Sequence, residues 1–147
     1  MRAIFRPVVS GVLAGAVLAS CQQADLTVED ASVHLPVVSG RPGVAYFTVK
    51  GGAQATSLVA VSTPVAIRAE MHEMKHEGGM MTMAPLKDVA IPAGRTVEFK
   101  SGGKHVMLFD VSPSVRSGEM VPLRLSFADG KTIEVKAATA KVGNTQH

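Results

Sequence analysis

Five of the eight methionines fall between Met71 and Met83, a segment that also carries His72, His76, Glu73, Lys75, Glu77, Gly78 and Gly79. Packing alone does not explain soft apolar side chains concentrated among so many charges and glycines. A thioether is a soft, neutral donor and an imidazole a borderline one, so a mixed site suits Cu(I) and fits Mg²⁺, Ca²⁺ or Mn²⁺ poorly. Having no charged ligand also favours a monovalent ion. A second element, Gly103-Lys104-His105-Val106-Met107, follows a Gly102-Gly103 turn and sets His105 and Met107 two residues apart. On a strand, residues so spaced point to one face and can close on one ion.

The elements that must position these donors read as short strands. Leu26 to Val33 partly alternates, Val44 to Lys50 ends at Gly51-Gly52, and Ser57 to Val61 and Val65 to His72 flank Ser62-Thr63-Pro64. Val89 to Ile91, Thr96 to Lys100, His105 to Val111, Val121 to Phe127 and Thr132 to Ala137 follow, punctuated by Gly, Pro and Asp-Gly turns. In the strand ending at His72, Val65, Ile67, Ala69 and Met71 share one face, and Arg68, Glu70 and His72 the other. That parity takes His72 away from the core. Eight or nine short strands at this spacing, with no sustained helical period and no internal repeat, predict an all-β Greek-key sandwich. The length of 147 residues suits one domain.

Residues 1 to 20 open with a basic stretch, Met1 to Arg6, and continue as a small-residue apolar run, the layout of a secretory signal peptide. The run is too short and too Gly-rich for a stable membrane-spanning helix. It ends Leu18-Ala19-Ser20-Cys21, which resembles the bacterial lipobox, and implies that Cys21, the only cysteine, is acylated and becomes the first mature residue. Residues 21 to 25 are then a lipidated tether, 26 to 138 the folded domain and 139 to 147 a loose polar tail. With Cys21 acylated the domain holds no thiol, which excludes disulfides, thiolate nucleophiles and zinc-thiolate sites together. Arg2 and Arg6 supply two of the three formal positive charges, leaving a mature charge near +1. No basic run remains to track phosphates, so nucleic acid is not an expected partner.

The donor spacing resembles that of the periplasmic copper chaperones of the PCu(A)C type, whose signature is a His, ten residues, a Met, twenty-one residues, then His-x-Met. Here His72 is followed by ten residues and Met83, then by twenty-one and His105-Val106-Met107. The likeness extends over roughly residues 26 to 137, through Ala45-Tyr46-Phe47-Thr48-Val49, Ile91-Pro92-Ala93-Gly94 and Val121 to Phe127. It implies a cupredoxin-like sandwich with His72, Met83, His105 and Met107 as Cu(I) ligands. It further implies a monomeric periplasmic carrier, lipid-anchored to a membrane, whose acceptor is a respiratory oxidase subunit under assembly. His76 stands where many relatives have Met, and Met80 where they have a small aliphatic residue, which leaves an auxiliary ligand set open.

Other readings compete. A blue-copper electron carrier needs a cysteine thiolate at the metal, and Cys21 lies in the lipobox. An enzyme needs a nucleophile, base and orienting group, and no local motif couples the Ser, Asp and His residues present. A sequestering protein for copper tolerance would use the Met-rich segment as a sponge for several ions. Met71, Met74, Met80 and Met81 read as packing or outer-sphere residues, His76 as a solvated residue or a Cu(II) contact, and His34 and His147 as incidental.

Overall fold

The computed structural model describes residues 23–141, so the signal segment, Cys21 and the last six residues lie outside it. Ten strands follow in chain order: β1 (Thr27–Leu35), β2 (Gly43–Lys50), β3 (Thr56–Ser62), β4 (Ala66–Glu77), β5 (Met80–Pro85), β6 (Val89–Ile91), β7 (Thr96–Phe99), β8 (Lys104–Val111), β9 (Met120–Phe127) and β10 (Thr132–Lys141). No helix occurs among the described residues. The strands form one hydrogen-bonded sheet in the order β5-β4-β8-β7-β2-β1-β10-β9-β3-β6, with β8 also pairing to β2. Non-sequential neighbours such as β4 with β8, β1 with β10 and β3 with β9 are Greek-key crossings. The fold is the expected cupredoxin-like sandwich.

Alternation builds the core. β2 buries Ala45, Phe47 and Val49, while β9 buries Val121, Leu123, Leu125 and Phe127. Phe47 and Phe99, partners across the β2–β7 ladder, stack with ring centroids 4.4 Å apart. Each fully buried Leu or Phe contributes about 1.5–3 kcal/mol of transfer free energy, so these strands hold the sandwich closed. The single buried cluster draws on every strand except β5. Turn geometry is equally specific at Gly51, where a Cβ would collide with the Pro92 carbonyl oxygen, so no larger residue fits that loop.

Three expectations change. β4 does not end at His72 but runs to Glu77, and β5, unforeseen, returns against it as a hairpin. Gly78 and Gly79 turn the chain with φ of 58° and 78°, the both-positive pattern of a two-residue hairpin loop that favours glycine. Ile67, expected in the core, is 84% exposed. The ladder register sets it opposite Asp110, whose φ of 55° breaks regular strand geometry at that end. Finally, β10 continues past the expected boundary at 138: Thr139 is buried, and its hydroxyl shares its one hydrogen between the carbonyl oxygens of Arg116 and Glu119, 2.7 and 2.8 Å away.

Candidate metal centre

β4 lies between β5 and β8 and thereby collects the donors of all three strands. His72 pairs directly with His105 across the β4–β8 ladder, Glu70 with Met107, and Met74 with Met83 across the β4–β5 ladder. Directly opposed residues share a face, so His72, Met74, Met83, His105 and Met107 occupy one face of the sheet. Its other face carries Met71, Val106 and Leu108 into the core. The parity reading of Ala69, Met71 and His72 therefore holds where β4 meets β8.

Three of the four expected ligands converge. Met83 reaches over β4 to bring its Sδ within 3.2 Å of His105 Nε2. The rings of His72 and His105 face each other at a 30° interplanar angle, centroids 6.0 Å apart. Two donors of one ion, with bonds near 2.0 Å to nitrogen and 2.3 Å to sulfur as for zinc, lie roughly 3–4 Å apart. The His105–Met83 contact has that spacing. Met107 lies on the same face, half-buried, between Glu70 of β4 and Val44 of β2.

Hydrogen bonds fix which nitrogen of each ring is free. His105 Nδ1 sits 2.9 Å from the Gly103 carbonyl, which can only accept, so Nδ1 carries the hydrogen. In the neutral ring Nε2 then holds a lone pair, aimed at the lone pairs of Met83 Sδ. A shared cation turns that contact from repulsive to binding. The same Gly103 carbonyl accepts from the Met74 amide at 3.2 Å, tying β4 to the turn that orients His105. His72 Nε2 lies 3.2 Å from Glu70 Oε2, a carboxylate acceptor, so Nε2 carries its hydrogen. The lone pair of His72 falls on Nδ1, a buried atom with no hydrogen-bond partner. A buried polar atom without a partner is costly, and a metal ion would satisfy it. Partners of this kind, which fix ring tautomer and direction, typically accompany metal-binding histidines.

Glu70 is itself held by Arg68, whose Nη1 donates to Oε1 at 2.7 Å while its guanidinium lies 4.2 Å over the Phe109 ring. On the core-facing side, Glu73 and Lys104 form a 3.0 Å cross-strand ion pair beside the histidines. His105 is 7% exposed although it faces away from the core, whereas Met83 is 49% exposed. One donor is thus sheltered and one open to the surroundings. Among the described residues no group of three or more His, Cys, Asp and Glu is placed to hold a metal ion, so a metal held here depends on thioethers. Met71 is buried as expected, but Met80 and Met81 are exposed and serve no packing role.

Sequence reasoning missed Glu70 and the Gly103 carbonyl as orienting groups. Glu70 was detectable in principle, since Glu-x-His on a strand puts both side chains on one face. A cleft of about 700 Å³, lined by Leu35, Pro36, Val65, Ile67 and Val111, lies at the opposite end of β4 and β8 from these donors.

The fold and this constellation define a class, the cupredoxin-like sandwich with an imidazole–thioether cluster on one sheet face. A family profile described as "Putative lipoprotein LpqE-like" matches residues 26–139, and the chain belongs to that family, which is of the PCuAC type. The chain is 28% identical over 127 residues to "Putative lipoprotein Lxx21020" of Leifsonia xyli subsp. xyli, covering 71% of this chain and 76% of the relative. Among solved structures it resembles the solution structure of CuI-DR1885 from Deinococcus radiodurans, with 32% identity, 87% of each chain covered and a TM-score of 0.69. The copper-bound PCuAC domain from PmoF2 shares the fold at 17% identity and a TM-score of 0.64, over 81% of this chain and 97% of that one.

Proposed function

We propose that the chain is an exported, lipid-anchored carrier of Cu(I), in which His72, Met83, His105 and Met107 grip one cuprous ion and surrender it to an acceptor by ligand exchange. The observation that carries this reading is the pair of imidazoles with opposite tautomers. His72 is hydrogen-bonded through Nε2 and His105 through Nδ1, so each has its remaining nitrogen free. The likeness to a Cu(I)-loaded protein at 32% identity supports the choice of ion. Thioether bonds to Cu(I) are individually weak, and the exposed Met83 offers the side from which an incoming ligand can attack. The likeness to copper-binding PCuAC domains supports carriage rather than catalysis as the activity.

The lipobox-like Leu18-Ala19-Ser20-Cys21 and membership of a lipoprotein family support export and anchoring through Cys21. The acceptor is a copper protein, and the resemblance to PCu(A)C chaperones points to a respiratory oxidase copper centre. The competing reading is sequestration for copper tolerance.

Competition with a Cu(I)-specific chromophoric chelator tests the site. The double variant His105→Ala, Met107→Leu loses tight binding while its circular dichroism stays that of the wild type. Full affinity in that variant would refute the assignment. Transfer to a purified oxidase copper domain, faster than release to buffer, separates delivery from storage.

A further inference from the structure

The β4–β5 hairpin is built differently from the rest of the molecule. Beyond the Glu73↔Lys104 pair, β4 leaves β8 and continues only with β5, and β5 contributes no residue to the core. Yet this two-stranded ribbon carries most of the soft donors, and its alternation sorts them. His72, Met74, His76, Met81 and Met83 fall on one face, while Glu73, Lys75, Glu77, Met80, Thr82 and Ala84 fall on the other. Four of the six residues on that second face are charged or polar. Nothing in the packing asks for this separation.

We propose that Met74, His76 and Met81 form a second, exposed station for Cu(I) or another soft monovalent ion, one cross-strand step outside the His72–Met83–His105 cluster. His76 is directly opposite Met81, and Met74 directly opposite Met83. Opposed side chains on a ladder lie about 4.5–5.5 Å apart at Cβ, and residues two apart along a strand about 6–7 Å. Three long or ring-bearing side chains at such corners can close on one ion. One imidazole and two thioethers select the same soft cations as the inner cluster. His76 and Met81 are exposed and Met74 half-buried. The station is therefore less preorganised and weaker than the inner one. Met83 belongs to the inner cluster and pairs with Met74 of the outer one, so an ion can pass between them by exchanging one thioether for another. The ribbon thus acts as the loading and unloading arm of the carrier; this deepens the copper reading and rests on it for the identity of the cargo.

Ag(I), a redox-inert surrogate for Cu(I), tests the proposal on the exported chain with ¹³C-labelled methionine methyl groups followed by NMR. Two binding events are expected: the first shifts the methyls of Met83 and Met107, and the second, at least roughly tenfold weaker, shifts those of Met74 and Met81. The double variant His76→Ala, Met81→Leu keeps the first event and loses the second. The variant His105→Ala, Met107→Leu keeps the second and loses the first. A wild type that binds only at Met83 and Met107, or a second event unchanged in the His76→Ala, Met81→Leu variant, overturns the proposal. If the wild type shows the outer event without the inner one, the second station stands and the four-ligand carrier reading fails.

Discussion

Two hydrogen bonds decide what the candidate site can do. Glu70 accepts from His72 Nε2, and the Gly103 carbonyl accepts from His105 Nδ1, so the two rings keep different nitrogens free. Glu70 should therefore act as a positioning residue. The variant Glu70→Ala is expected to lower Cu(I) affinity by about 10- to 100-fold, the usual cost of losing such a partner. Glu70→Gln, whose amide oxygen still accepts a hydrogen bond, should retain most of the affinity in the same chelator competition. Equal loss in both variants would show that charge, not ring orientation, is what Glu70 supplies. The histidines and Met83 were legible in the sequence because their residue types and spacing are unusual. Their orienting partners were not, because a backbone carbonyl leaves no mark in a sequence and a carboxylate two residues from a histidine has many solvated precedents.

Nine of the ten strands were legible from alternation and turn residues, and the tenth was missed for a physical reason. The segment from Met80 to Met83 has no polar alternation of its own, since the ladder partner rather than the core decides its register. The same charges that disguise β4 beyond His72 suit a ribbon wet on both faces. Structural dispensability follows: Gly78→Ala with Gly79→Ala forces left-handed backbone onto non-glycine residues, at about 1–2 kcal/mol each. That cost is local to the hairpin. The expected outcome is weaker metal binding with little change in the thermal unfolding midpoint. Leu125→Ala, by contrast, empties a fully buried position in β9 and should destabilise the domain by about 2–5 kcal/mol, read from urea denaturation. A large drop in unfolding midpoint for the hairpin variant would place β5 in the folding core after all.

The strand directions organise the whole molecule around one end. β1 is antiparallel to β2, β2 to β8, and β8 to β4. The start of β1, the start of β8 and the far end of β4 therefore lie at the same end of the sheet. The chain enters the domain at the end toward which the β4–β5 ribbon extends, and the cleft beside Ile67 and Val111 lies at the other. A lipid on Cys21 would hold the ribbon end of the domain toward the membrane. Cys21→Ser should release the protein from the membrane fraction on cell fractionation while leaving Cu(I) affinity unchanged. Retention in the membrane would show that the anchor lies elsewhere. This end-to-end arrangement could not be read from the sequence, because it depends on the pairing order of strands distant along the chain.

X-ray absorption at the copper edge of the Cu(I)-loaded protein tests the central claim most directly, by counting the neighbours of the ion. Two nitrogen and two sulfur neighbours are expected, falling to one nitrogen when either His72 or His105 is replaced by Ala. A shell without sulfur, or one that neither substitution alters, would contradict the site.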